Sequence, residues 1–105
     1  MSTRHFNNLT PAEAERLALL SEECGECIQA VGKILRHGYD SVHPEGKDKG
    51  NCNRDNLERE MGDILAAMQI MKETGDIDQK HLTEWREDKL TRVGKYLHHQ
   101  PKDFL

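Results

Sequence analysis

The sequence predicts an all-α fold, a small antiparallel helical bundle that is completed by oligomerisation. Three segments repeat apolar residues at the spacing of an amphipathic helix, and no segment alternates apolar and polar residues as a half-buried strand does. Apolar residues make up 35% of the chain and aromatic residues 5%, against a usual apolar share of about 45–50%. Because one chain offers so lean a core, we expect a homodimer or homotetramer.

The first helix is predicted to begin at Pro11. Thr10 and Glu13 have the spacing of a capping box, and proline fits the first helical position. The helix is expected to run to about His37, with Gly38 as the residue that ends it. Its apolar stripe comprises Leu17, Leu20, Cys24, Cys27, Ile28, Val31, Ile34 and Leu35. Cys24 and Cys27 form a CxxC within this stripe, which favours core residues over a zinc site.

Residues 38–53 are rich in Gly, Asp, Asn and Lys and are predicted to form a mobile loop. A loop of this length in a small domain is usually functional or disordered. We expect residues 1–105 to form a single domain whose tail, residues 100–105, is loosely held.

Two further helices are predicted after the loop. The second is expected to begin near Asn53 or Asp55 and to end before Gly75. The third follows Asp78, a plausible N-cap, and is expected to reach about His99.

Composition excludes several classes of function. The net charge is −4 and no basic run is present, which argues against binding of a nucleic acid polymer. No stretch approaches the roughly 18 apolar residues of a membrane span, so no membrane association is expected. The N-terminus has no apolar segment of a secretory signal, and the cysteines number 3, so we expect a cytoplasmic protein without disulfides.

Acidic residues occupy matched positions on the first two helices. Glu22, Glu23 and Glu26 lie on the first, and Glu60 and Asp63 on the second. Residues three apart share a helix face. At about 100° per residue, the first member of each i,i+3 pair lies roughly 20° from its apolar stripe and the second about 60° farther out. If the two stripes pack together, the four carboxylates of Glu23, Glu26, Glu60 and Asp63 converge along one groove.

Convergent carboxylates repel one another, and a hard divalent cation offsets that repulsion best. Mg²⁺ takes oxygen ligands and commonly bridges carboxylates to phosphates, with Mn²⁺ as a possible substitute. The alternative is an ordinary solvated helix face, since acids at i,i+3 are common there. The position of both pairs at the stripe borders favours the metal site.

These motifs resemble a known family. The pattern EExxE at residues 22–26, followed by a loop and ExxD at residues 60–63, resembles MazG-like all-α nucleoside triphosphate pyrophosphohydrolases. The relatives of that superfamily include dimeric dUTPases, dCTP pyrophosphatases and phosphoribosyl-ATP pyrophosphohydrolases. Lys89 and Arg92 resemble the family's basic K-x-x-R segment. The resemblance covers roughly residues 13–95.

The resemblance implies hydrolysis of a nucleoside triphosphate to the monophosphate and pyrophosphate with Mg²⁺. It assigns the metal to Glu23, Glu26, Glu60 and Asp63. Glu22 would either orient the attacking water or simply face solvent, and Lys89 and Arg92 would contact phosphate oxygens.

Three further residues are candidates for substrate binding. Lys33 and Arg54 lie close to the acidic motifs in sequence, and Trp85 could stack on a base. The alternative functions are a non-catalytic helical interaction or regulatory module and a phosphoribosyl-ATP pyrophosphohydrolase. The preferred nucleotide and the biological role, such as nucleotide-pool cleansing, stay open.

Overall fold

The computed structural model describes residues 6–101 and confirms the all-α class. Its helices are α1 (Pro11–His37), α2 (Asn53–Glu73) and α3 (Gln79–Val93), followed by a short 3₁₀ helix (Gly94–Tyr96). Within residues 6–101 no helix is long and apolar enough to cross a membrane.

The chain divides into two compact units between Met71 and Lys72. The first unit contains α1, the connection that follows it and most of α2. The second contains the last residues of α2, α3 and the 3₁₀ helix.

Helix α1 begins and ends where its caps predict. The Thr10 hydroxyl accepts from the Glu13 amide at 3.1 Å, and the Glu13 carboxylate accepts from the Thr10 amide at 2.8 Å. Both contacts satisfy backbone N–H groups that the first helical turn leaves unpaired. Gly38 follows the helix with φ 89°, a conformation that favours glycine, and its amide donates to the Ile34 carbonyl at 2.6 Å.

The connection between α1 and α2 is a hydrogen-bonded hairpin rather than an irregular loop. Val42 and Cys52 form an antiparallel bridge, and the His43 amide donates to the Asn51 carbonyl at 3.1 Å. At the base of the hairpin, the Asn53 side chain donates to the Gly38 carbonyl at 3.0 Å. The two helices are therefore joined at a fixed point, where the end of α1 meets the start of α2. The mobility expected of this segment stays a prediction.

Helix α3 is shorter than the sequence predicts. It begins as expected, with the Asp78 carboxylate accepting from the His81 amide at 3.1 Å. The α-helix ends at Val93 rather than near His99, and the chain tightens into the 3₁₀ turn at Gly94. Glycine weakens a helix interior by about 1 kcal/mol relative to alanine, which disfavours continuation of the α-helix through Gly94. Of the predicted tail, residues 102–105 lie outside the described part of the chain.

Few apolar side chains are buried. Those that are buried among residues 6–101 are Ala30, Ala67 and Met71, and none of them is completely inaccessible. The predicted stripe of α1 is present but largely exposed, and Ile28 and Leu35 retain 72% and 82% of their accessible surface. Cys24 is exposed and Cys27 is half-buried in the single chain. The placement of this pair in the core stays a prediction that depends on a second copy.

Candidate metal site

Helices α1 and α2 bring four acidic side chains together. Carboxylate oxygens of Glu23, Glu26, Glu60 and Asp63 all lie within 4.8 Å of one another. The carboxyl of Glu23 lies against that of Asp63, and the carboxyl of Glu26 lies against that of Glu60. Since the earlier residue of one helix meets the later residue of the other, α1 and α2 run antiparallel here.

Small side chains flank the cluster. One helical turn beyond Glu26 lies Ala30, and one turn beyond Asp63 lies Ala67. Both alanines are buried, with 8% and 2% of their surface exposed. Small side chains are typical of positions where two helices pack against each other, and both alanines lie one turn from a carboxylate of the cluster.

Two of the carboxylate oxygens are buried without a hydrogen-bond partner. They are Oε2 of Glu23 and Oε2 of Glu60, and Glu60 as a whole is only 8% exposed. A buried polar atom without a partner typically costs about 1–3 kcal/mol, and more when it is charged. Oxygens left in this state beside further carboxylates fit ligands that a cation would satisfy.

The electrostatics of the cluster disfavour ionisation of its α1 members. Burial raises the pKa of Glu23 above its ordinary value of 4.5, and the charges of Asp63, Glu22 and Glu60 raise it further. The pKa of Glu26 is raised chiefly by its hydrogen bond with Glu60, then by the charge of Glu23. Each carboxylate therefore keeps its proton to a higher pH than an isolated glutamate does.

This donor set suits a hard divalent cation. All four side chains offer oxygen, which Mg²⁺ and Mn²⁺ prefer over nitrogen or sulfur. A divalent ion would remove the repulsion that raises the two pKa values and would supply the partner that the buried oxygens lack. The residues present thus fit the metal that the sequence predicts, and solvated side chains on separate helix faces would not leave such oxygens buried.

A small cavity adjoins the acidic cluster. Its volume is about 160 Å³. Its lining includes the acidic side chains of Glu26, Asp48 and Glu60 and the basic side chains of Lys33, Lys47 and Arg59. The cavity therefore holds charges of both signs, as a site for a metal-bound phosphate requires.

Arg59 is absent from the residues predicted from sequence. Its guanidinium donates to Glu60 Oε1 at 3.1 Å through Nη2 and to Asp48 Oδ1 at 3.0 Å through Nη1. The charge of Arg59 lowers the pKa of Asp48 chiefly through this hydrogen bond, so the hairpin carboxylate is ionised. Its position immediately before the ExxD motif is the one signal in the sequence, but the partner Asp48 could not be inferred.

The remaining predicted residues of the first unit lie around this site. Glu22 is exposed on α1, and its charge helps to raise the pKa values of Glu23 and Glu26. Lys33 is exposed and lines the cavity. Arg54 instead pairs with Asp40 and lies over the Tyr39 ring, 4.9 Å from its centroid.

Three predicted residues lie in the second unit, on α3. Lys89 is exposed, and Arg92 donates to the Asp88 carboxylate at 2.6 Å. Trp85 is 65% exposed and, with His81 and Leu82, lines a cavity in this unit. The structure therefore leaves the side chains of Lys89 and Trp85 accessible to a ligand.

The profile of the MazG nucleotide pyrophosphohydrolase domain matches residues 12–98 of the chain. The chain belongs to the MazG family. No curated protein and no solved structure matches it. The match to the MazG profile covers both acidic motifs, the hairpin and the basic segment on α3, and it confirms the resemblance read from those motifs. Membership points to a nucleotide pyrophosphohydrolase, that is, to a hydrolase that acts on nucleotides.

Proposed function

We propose that this MazG domain hydrolyses a nucleoside triphosphate to the nucleoside monophosphate and pyrophosphate, and that it requires Mg²⁺. The observation that carries the proposal is the convergence of four carboxylates from α1 and α2, with one oxygen of Glu23 and one of Glu60 buried and unpartnered. A binding module without chemistry would gain nothing from this costly arrangement.

The carboxylates of Glu23, Glu26, Glu60 and Asp63 would hold the metal, with Mn²⁺ as a possible substitute. When bound, the ion supplies charge for the phosphate oxygens and lowers the pKa of water. In the reaction, the oxygen of water bonds to the α-phosphorus, the bond from that phosphorus to the bridging oxygen breaks, pyrophosphate leaves, and the proton that the water loses passes to solvent. Glu22 would orient the attacking water from its exposed position beside Glu23.

Basic side chains would bind the polyphosphate and stabilise the charge that develops on it. Lys33 lines the cavity beside Glu26 and Glu60, which supports a role for it. Lys89 and Arg92 are assigned by the family resemblance, as is the contact of these residues with phosphate oxygens. Arg54 and Trp85 are proposed as further substrate contacts, Trp85 by stacking on the base.

We also propose that the domain works as a homodimer or homotetramer. The apolar stripe of α1 supports this proposal, because Ile28, Val31 and Leu35 recur on one face and are exposed. On α2, Met61 and Leu65 are exposed as well. A second copy would cover such faces and enlarge a core that is small for one chain. A solution mass equal to one chain at micromolar concentration would contradict this assembly.

The activity is tested by pyrophosphate release from a panel of canonical and modified nucleoside triphosphates and phosphoribosyl-ATP. Each substrate is incubated with Mg²⁺ and, in parallel, with a chelator. We expect release from at least one nucleoside triphosphate, lost with the chelator and restored by excess Mg²⁺ or Mn²⁺. Release from phosphoribosyl-ATP alone would assign that substrate instead, and no release from any of them would favour a regulatory module.

A further inference from the structure

We propose that Arg59 binds the polyphosphate of the substrate and that Asp48 of the hairpin holds this guanidinium while no substrate is present. The inference rests on the proposed function and adds to it a residue that the acidic motifs do not include. It assigns the hairpin a part in phosphate binding.

The contacts of Arg59 carry the inference. Arg59 lies on α2 immediately before Glu60, and its Nε and Nη2 donate to Glu60 Oε1 at 3.4 Å and 3.1 Å. These bonds fix the guanidinium beside the metal cluster. Its Nη1 points away from that contact to Asp48 Oδ1, 3.0 Å distant. One edge of the Arg59 guanidinium therefore binds Glu60, a proposed metal ligand. The other edge binds Asp48, whose carboxylate a phosphate could replace.

The lining of the cavity indicates which ligand Arg59 would bind. Arg59, Asp48 and Glu60 line the same space, together with Lys33 and Lys47. An anion that entered it with a divalent ion would meet the carboxylates through the ion and the three cations directly. The guanidinium of Arg59 suits this role because its planar fork binds phosphate oxygens in pairs, whereas an ammonium acts as a point charge.

Asp48 occupies the place of a phosphate oxygen. Its side chain is only 15% exposed, although it lies in the hairpin, whereas that of Arg59 is 45% exposed. Both a carboxylate and a phosphate accept from guanidinium N–H groups, so the two anions compete for the same donors. Asp48 also adds negative charge to the cavity. Its removal should therefore favour a phosphate, while removal of Arg59 should disfavour it.

The hairpin offers a control. Glu45 is a second acidic residue of the hairpin; it is exposed and does not line the cavity with Arg59. Glu45→Gln therefore removes a carboxylate from the hairpin without changing the side chains that face the proposed phosphate site. Asp40 is less suitable, because it pairs with Arg54, which is itself a proposed substrate contact.

The experiment measures binding of inorganic tripolyphosphate in the presence of Mg²⁺ by isothermal titration calorimetry. The full chain is used as wild type and as Arg59→Gln, Arg59→Lys, Asp48→Asn and Glu45→Gln. We expect Arg59→Gln to weaken binding roughly 10- to 100-fold, the range for a charged hydrogen bond. Arg59→Lys should retain part of the affinity. Asp48→Asn should tighten binding severalfold, and Glu45→Gln should leave it within about twofold.

A second titration, with Mn²⁺ alone, separates a phosphate contact from a role in holding the metal. Arg59→Gln should bind Mn²⁺ no more weakly than wild type, because the lost side chain is a cation beside a cation site. Weaker Mn²⁺ binding would overturn the phosphate assignment and make Arg59 a residue that positions Glu60. Circular dichroism checks that each variant keeps its helices.

The outcomes distinguish this inference from the proposed function. If wild type binds tripolyphosphate with Mg²⁺ but Arg59→Gln binds it equally well, only the inference fails. If Asp48→Asn weakens binding as Arg59→Gln does, the pair is structural and the competition by Asp48 is overturned. If wild type binds no tripolyphosphate with Mg²⁺, the inference and the polyphosphate site of the proposed function fail together.

Discussion

The acidic cluster and the surface of α3 differ in how their charged side chains are arranged. On α3, charged residues pair with near neighbours in the open: Arg92 with Asp88, and Arg86 with Glu87 at 3.0 Å. Exposed pairs of this kind contribute about 0–1 kcal/mol and are typical of a solvated helix. Between α1 and α2, like charges meet and two carboxylate oxygens are buried without partners.

The difference shows which charged residues carry information about a ligand. The pairs on α3 would form on any exposed helix, so they carry no information about a ligand. The cluster opposes folding until something neutralises it, so its presence argues for a bound cation. The metal assignment thus has physical support in the first unit, whereas Lys89 and Arg92 depend on the family resemblance.

The largest expected effect comes from the ligands themselves. Glu60→Gln or Asp63→Asn keeps the shape of the side chain but removes a ligand charge, so pyrophosphate release should fall by at least roughly 10³-fold. The helical signal in circular dichroism should remain. Glu58→Gln is the matched control, because Glu58 is exposed on the same helix and lies outside the cluster. Wild-type turnover in both ligand variants would remove these residues from the site.

An intermediate effect is expected on α3. Lys89→Ala should lower turnover about 10²-fold, as the loss of a single electrostatic donor does. Arg92→Ala should act in the same direction. Lys80→Ala, at another exposed lysine of α3, should have no effect on turnover. If all three variants match wild type in kcat and KM, the basic segment is an ordinary solvated surface and the contrast with the cluster is complete.

The smallest effect concerns the stability of the metal-free protein. Because the pKa of Glu23 is raised in the fold, the folded state binds more protons than the unfolded state just above pH 4.5. The contribution of this group to stability therefore falls as the pH rises through that window and recovers as the pH is lowered. Glu23→Gln imitates the protonated form, so in a chelator it should melt a few degrees above wild type at pH 7.5.

The pH dependence of the difference in melting temperature decides whether charge is the cause. The gap in melting temperature between Glu23→Gln and wild type should narrow as the pH is lowered from 7.5 towards 5. Glu15→Gln, at an exposed position on the same helix, should track wild type at every pH. A constant gap would mean that the substitution acts through packing rather than through charge.

Local patterns in the sequence predict most of the helical structure. The Thr10–Glu13 capping box and Gly38 place both ends of α1 correctly, since caps act within a few residues. For α3 only the start is predicted correctly. The predicted end follows the apolar spacing past Gly94, whereas the α-helix ends at Val93. The convergence of the four acidic residues could be predicted because each lies at a fixed angle to the apolar stripe of its helix. Arg59 could not, because its partner Asp48 meets it only through the folded hairpin.

The register between α1 and α2 fixes how the chain can change in length. Glu23 meets Asp63 and Glu26 meets Glu60, and both contacts are counted back from the junction at Gly38 and Asn53. One residue inserted between Glu26 and Gly38 would turn both α1 acids by about 100° and shift them about 1.5 Å along the axis. An insertion at the tip of the hairpin leaves unchanged the number of residues between the acidic side chains and this junction. Length variation in this protein is therefore tolerated at the hairpin tip and excluded from the helical arms that lead to it.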